Sequence, residues 1–264
     1  MKIENLLDKM WKDYIVLNKS AQKIVDLFEQ KGNEVVNDHI ALRTFNHPKL
    51  SVDVIAKPFL EAGYFENGTY DFEEKKLKAK HYEHKDANLP KIFISELMLE
   101  EFSDELNELV NSLIEQVDEK KISEFDFCSS GRPWNLSSET YHRLAKESEY
   151  AAWVSAIGFK PNHFTVYINK LQSFTEVSDL NTFLKEHGFM LNSSGGEVKG
   201  SPQVFLEQSS TLADKIEVDF DDKSEVIPSC YFEFAKRYEL PNGQMYQGFV
   251  AKSADKIFES TTLK

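Results

Sequence analysis

The chain has 264 residues, 41% hydrophobic and 28% charged, with 20 Phe, 10 Tyr and 3 Trp. A mainly disordered or collagen-like polymer is excluded, and a sizeable core is implied. Lys and Arg total 31 against 44 Asp and Glu, a formal net charge of −13, which argues against nucleic acid or anionic membrane as a partner.

In chain order, Leu6, Leu7, Met10, Tyr14, Ile15, Leu17, Ile24, Val25 and Phe28 recur at mostly three- and four-residue spacing, interrupted by Asn18-Lys19-Ser20. This predicts a helix, or two short ones, over 4–29. His39–Phe45 reads as a strand ended by Asn46-His47-Pro48. Ser51 can cap a helix running to Glu61 or Ala62, with Gly63 as its stop. A turn is expected at Glu66-Asn67-Gly68-Thr69, then strands to His84 and over Lys91–Leu97. Helical spacing covers 103–118 and, as one further helix, 138–153. A polar, aromatic connection containing Ser129-Ser130-Gly131-Arg132 lies between them. A strand over Asn162–Ile168, a helix over Val177–His187 and a short strand at Phe189–Leu191 follow. Strands near Val204–Gln208 and Cys230–Tyr238 come last.

The longest apolar runs fall far short of the roughly 20 residues of a membrane span, and the acidic, amphipathic N-terminus does not read as a secretory signal. Cys128 and Cys230 have no CxxC spacing and are too few for a disulfide framework. A cytoplasmic chain with reduced thiols is expected.

The punctuation repeats. His39 and His163 stand 124 residues apart, and their following Gly stops, Gly63 and Gly188, lie 24 and 25 residues on. An α+β fold of two duplicated βαβββ modules on a curved mixed sheet is predicted, within one structural unit spanning 1–264. A helical segment 1–34 precedes the first module, 35–102; a helical connection, 103–158, precedes the second, 159–264.

Side chains alternate along a strand. His39, Ala41 and Arg43 therefore share a face, as do His163, Thr165 and Tyr167, and also Tyr231, Glu233, Ala235 and Arg237. A lone carboxylate among aromatic residues needs a partner. Two imidazoles with one carboxylate can hold a divalent metal and leave octahedral positions open, as in non-haem iron(II) oxygenases. A single strand His is more often a hydrogen-bonded packing residue, so both readings stand at this level.

The segments His39-Ile40-Ala41-Leu42-Arg43-Thr44-Phe45, Asn162-His163-Phe164-Thr165 and Phe232-Glu233-Phe234-Ala235-Lys236-Arg237 resemble the 2-oxoadipate dioxygenase/decarboxylase family, which is related to the vicinal-oxygen-chelate fold. The resemblance implies His39, His163 and Glu233 as ligands of Fe(2+), and Arg43 as the residue that grips a substrate carboxylate. It also implies a 2-oxo acid and O2 as the small-molecule partners, with 2-oxoadipate yielding 2-hydroxyglutarate and CO2. Better-known members look longer than this chain, so the resemblance carries the metal over more safely than the substrate.

Glu96 is a candidate fourth ligand or supporting residue, on the strand taken to correspond to that of Glu233. In glyoxalase-type relatives both such carboxylates bind the metal. A glyoxalase-like lyase or isomerase is therefore one alternative, and a non-catalytic ligand-binding module of the same fold is another. His81 and His84 read as a solvated edge rather than a second metal site. Cys230 has no adjacent base and is not expected to act as a nucleophile. Ser129-Ser130-Gly131-Arg132 is either a carboxylate-binding loop or an ordinary one.

Overall fold

Residues 2–261 are described by the computed structural model. The elements in chain order are α1 (Ile3–Leu17), α2 (Lys19–Gln30), β1 (Asn37–Phe45), α3 (Val52–Glu61), β2 (Phe65–Phe72), β3 (Leu77–Glu83), β4 (Lys91–Leu97), α4 (Asp104–Ile114), α5 (Glu119–Ile122), α6 (Ser138–Glu147), α7 (Glu149–Ile157), β5 (His163–Tyr167), α8 (Val177–Glu186), β6 (Lys199–Ser201), β7 (Leu206–Ser210), β8 (Lys215–Asp219), β9 (Ser224–Pro228), β10 (Tyr231–Arg237) and α9 (Ala251–Phe258). The polar interruption at 18–20 divides the first two helices, because the Asn18 side chain accepts from the Ala21 N–H and caps α2.

Eight strands form one curved mixed sheet in the order β2-β3-β4-β1-β5-β10-β7-β6. β1 runs parallel to β4, β5 runs parallel to β10, and β1 meets β5 antiparallel at the centre. Outward from that central pair each half repeats the same sequence of strands: first, last, third, second. α3 follows the first strand in one half and α8 in the other, which gives two βαβββ units side by side.

The apolar alternate residues of the central strands face the helices. Phe164 and Phe232 pack on Trp11 and Tyr14 of α1, and Phe234 packs on Phe28 of α2. Polar residues are thereby turned to the opposite, concave face. That face is covered in turn by the segment from Tyr246 to Thr261, whose helix α9 packs against β2, β6 and β7. Among the described residues, no helix is long and apolar enough to cross a membrane.

Three local expectations fail. Residues 66–69 are not a turn but part of β2, bulged between Glu66 and Gly68. A Cβ on Gly68 would stand 2.8 Å from the His81 ring, so the missing side chain makes room for that imidazole. The helix expected over 138–153 is two helices, since Ser148 leaves helical conformation and caps α7 through the Ala151 N–H at 3.1 Å. Phe189–Leu191 is not a strand; Leu191 makes one isolated bridge to Thr211, and the three-residue β6 takes the sheet edge instead. The hairpin of β8 and β9 and the C-terminal α9 carry no strong sequence signal and were not anticipated.

Candidate metal centre

Strand register builds the site. His39 of β1, Thr165 of β5 and Glu233 of β10 lie in one row across the three central strands, with Ala41, His163 and Tyr231 in the next row. His39, His163 and Glu233 converge so that one ligand atom from each lies within 4.8 Å of the others. His39 Nε2 is 3.5 Å from Glu233 Oε1, and His163 Nε2 is 3.3 Å from Glu233 Oε2. All three side chains are buried, at 2%, 4% and 1% exposure.

Each ring has an acceptor at its far nitrogen from the residue just before it. Asp38 Oδ2 lies 2.8 Å from His39 Nδ1, and Asn162 Oδ1 lies 3.1 Å from His163 Nδ1. An acceptor there places the proton on Nδ1 and leaves the Nε2 lone pair facing the cluster. The Thr165 hydroxyl meets that lone pair on His39 at 3.1 Å.

The electrostatics describe a site that wants positive charge. Burial pushes the Glu233 carboxyl up to about 8, although Gln208 Nε2 donates to its Oε1 at 2.6 Å. Burial also pushes the His163 imidazole well below its usual range, and the charges of His39 and Arg43 add to the effect. His39 is lowered by burial against the opposing pull of Asp38. Two neutral imidazoles and a desolvated carboxyl suit a divalent cation, which takes up both lone pairs and favours the carboxylate form. Gln208 Oε1 is buried without a hydrogen-bond partner, an acceptor left over for a hydroxyl or water at the centre. The donor set therefore fits a metal.

Arg43 occupies the same face of β1, two residues beyond Ala41. Its guanidinium lies 5.0 Å from the ring centres of both Tyr150 and Trp153. A cavity of about 300 Å³ opens against it, bordered also by Lys75, Lys76, Phe102, Glu147 and Tyr150. The two His and Glu233 are not on the wall of that cavity.

Glu96 does not join the cluster. Its strand neighbour is Thr44, on the helix-facing side of the sheet, and its Oε2 accepts the Val52 N–H at 2.8 Å at the start of α3. The cap expected from Ser51 is thus supplied by Glu96. The true counterpart of Glu233 is Phe93, which pairs with Ala41 as Glu233 pairs with Thr165. The first module places an aromatic ring where the second places a carboxylate.

His81 is buried rather than solvated, at 1% exposure, held between the Tyr70 hydroxyl at 2.9 Å and Glu83 at 3.0 Å. It lies on β3, between β2 and β4, and packs on Phe249 of the covering segment, which hides it from solvent. His84 Nδ1 accepts the Asp86 N–H. The Ser129 carbonyl is taken by Lys9 and Lys160, and Arg132 donates to the Asp219 carbonyl. That stretch is a connecting loop. Burial pushes the Cys230 thiol up to about 12, the opposite of an activated nucleophile.

Residues missed from the sequence complete the surroundings: Asp38, Gln208, the pairing of Arg237, and Lys199. Asp38 and Asn162, each directly before its His, were the available signal. Lys199 pairs across the sheet with Gln208, is 4% exposed, and donates to the Asn192 carbonyl at 2.5 Å. Burial pushes its ammonium down to about 8. Below that pH both folded and unfolded chains are charged here, and the folded chain bears the full desolvation cost. Between 8 and the unfolded value near 10.5 only the unfolded chain holds the proton, so stability rises with pH. Relative to wild type, Lys199→Met should lose this rise, on the order of 2 kcal/mol. Urea unfolding at pH 7.5 and 10.5 checks it; parallel pH profiles contradict it.

The family described as 2-oxoadipate dioxygenase/decarboxylase matches residues 2–125 and 126–244. A chloroplastic protein of that name from Arabidopsis thaliana is 34% identical over 285 residues, covering 97% of this chain and 76% of the relative. A Shewanella frigidimarina crystal structure, provisionally described as a hydrolase, is 53% identical with a TM-score of 0.91, covering 95% of this chain and 98% of its own. The Oryza sativa hydroxyglutarate synthase, solved in complex with 2-oxoadipate, is 32% identical with a TM-score of 0.91, covering 98% of this chain and 91% of that one. The chain is thus shorter than the Arabidopsis relative, yet it spans nearly all of the rice structure. Matched along both halves and carrying the converged His, His and Glu, it belongs to the 2-oxoadipate dioxygenase/decarboxylase family.

Proposed function

We infer that this protein is an iron(II)-dependent enzyme that converts 2-oxoadipate and dioxygen into 2-hydroxyglutarate and carbon dioxide. The observation that carries the reading is the convergence of His39, His163 and Glu233; the relatives named for 2-oxoadipate support its substrate. In this reading the three side chains are the metal ligands. Iron held there would supply the redox chemistry that dioxygen and a 2-oxo acid require.

The chain's own residues do the rest. Arg43, backed by Tyr150 and Trp153, presents a planar fork to the distal carboxylate and fixes which end of the substrate faces the centre. Gln208 holds one Glu233 oxygen, leaving the other for the metal. Phe249 against the His39 ring and the covering segment exclude bulk water. The proposed modules, 35–102 and 159–264, each contribute one His to this shared site, and the proposed compartment is the cytoplasm.

The glyoxalase-like alternative is disfavoured by Phe93, since the first module has no carboxylate to offer. Two His and one Glu also suit zinc in hydrolases, so the metal is tested directly. Anaerobic reconstitution with Fe(II), then a 2-oxo acid panel in air, should give oxygen uptake and carbon dioxide release in a one-to-one ratio with 2-oxoadipate. Zn(II) should give neither. Tight 2-oxo acid binding without oxygen uptake would replace the enzyme with a binding module.

A further inference from the structure

His39 is the better anchored of the two imidazoles, and the anchor reaches far beyond it. Asp38, which meets His39 Nδ1, is itself gripped by Arg237: Nε donates to Oδ1 at 2.6 Å and Nη2 donates to Oδ2 at 2.8 Å. Both side chains are 1% exposed. The remaining guanidinium nitrogen, Nη1, donates to the Gly248 carbonyl at 2.7 Å and the Tyr246 carbonyl at 3.2 Å. The guanidinium also lies 5.2 Å from the centre of the Phe249 ring, which meets the His39 ring at 4.8 Å. His163 has no such arrangement, only the neutral amide of Asn162.

We propose that Asp38 and Arg237 are positioning residues of the metal centre: Asp38 fixes the His39 tautomer, and Arg237 fixes Asp38 while tying the covering segment at Tyr246 and Gly248 to the same ligand. The chemistry is specific. A carboxylate has two acceptor oxygens, so Asp38 can serve Arg237 and the His39 N–H together. An Asn in its place has one oxygen. The guanidinium Nε, which makes the shorter of the two bonds, keeps that oxygen at the Oδ1 position, and the amide N–H₂ then stands where Oδ2 met His39 Nδ1. That nitrogen must then accept, and the imidazole proton moves to Nε2, the atom the metal needs. Removing the competing guanidinium as well lets the Asn oxygen turn back to His39, the arrangement already present at Asn162 and His163.

The inference rests on the metal-centre reading, and the experiment separates the two. Cobalt(II) affinity is measured by chelator competition, and the His39 tautomer of the metal-free protein is read by long-range nitrogen-15 NMR. Wild type should show the Nδ1–H form and bind one cobalt. Asp38→Asn should bind cobalt at least about tenfold more weakly and show the Nε2–H form. The double variant Asp38→Asn/Arg237→Gln should bind more tightly than Asp38→Asn alone, which a purely structural role for the pair does not predict. The inference is overturned if Asp38→Asn keeps wild-type affinity and tautomer, or if the double variant binds more weakly still. Should Asp38→Asn not fold, the wild-type tautomer decides: Nε2–H on His39 overturns the inference. If wild type binds no cobalt, the metal-centre reading fails, and the same wild-type tautomer still decides whether Asp38 orients the ring.

Discussion

Glu233→Ala and His163→Ala are each expected to take the protein from about one bound divalent metal to below roughly a tenth of an equivalent, with turnover down at least about a thousandfold. With three donors in all, loss of one leaves either two neutral imidazoles or one imidazole and one carboxylate, too few to compete with water for the cation. The Glu233 change also deletes the only anionic donor of the cluster. The fold should survive, because without metal the Glu233 carboxyl is desolvated and raised and its removal relieves a cost. Circular dichroism of the metal-free variants, with metal analysis after reconstitution, makes the measurement. Full occupancy in either variant would overturn the ligand assignment, whatever happened to activity.

Arg43→Lys should show the opposite pattern: metal content unchanged, and kcat/KM for 2-oxoadipate down about a hundredfold, near 3 kcal/mol of transition-state stabilisation. An ammonium keeps the charge but loses the planar pair of donors and the stacking on Tyr150 and Trp153, so it can attract a carboxylate without fixing its angle. The effect should fall on kcat as well as KM, because a substrate bound askew is held but not aligned. Unaltered turnover of every 2-oxo acid in the panel would remove Arg43 from the reaction.

Much of this site was legible because it depends on short-range alternation. β4 occupies the predicted Lys91–Leu97, β1 contains the predicted His39–Phe45, and Phe232 and Phe234 face the helices as the pattern required. The donors came from three strands whose faces could each be read alone. What failed depended on register between strands. Glu96 and Phe93 sit three residues apart on one strand, and only the alignment of β4 with β1 says which of them faces the centre; an odd shift changes the face. The burial of His81 depends on a segment about 165 residues later in the chain, and the Asp38–Arg237 pair spans a separation of 199 residues. Neither leaves a periodic trace.

Phe93 has a consequence for the charge of the centre. Had the duplication kept a carboxylate in both halves, a divalent metal would be neutralised by its own protein ligands. With an aromatic ring in one half, a dication held by two neutral imidazoles and one carboxylate would retain one positive charge, and the guanidinium of Arg43 on the same strand face would add another. A dicarboxylate brings two negative charges. Under the proposed assignment, the valence left unmet by the first module would be matched by a dicarboxylate, inside a chain whose net charge is −13.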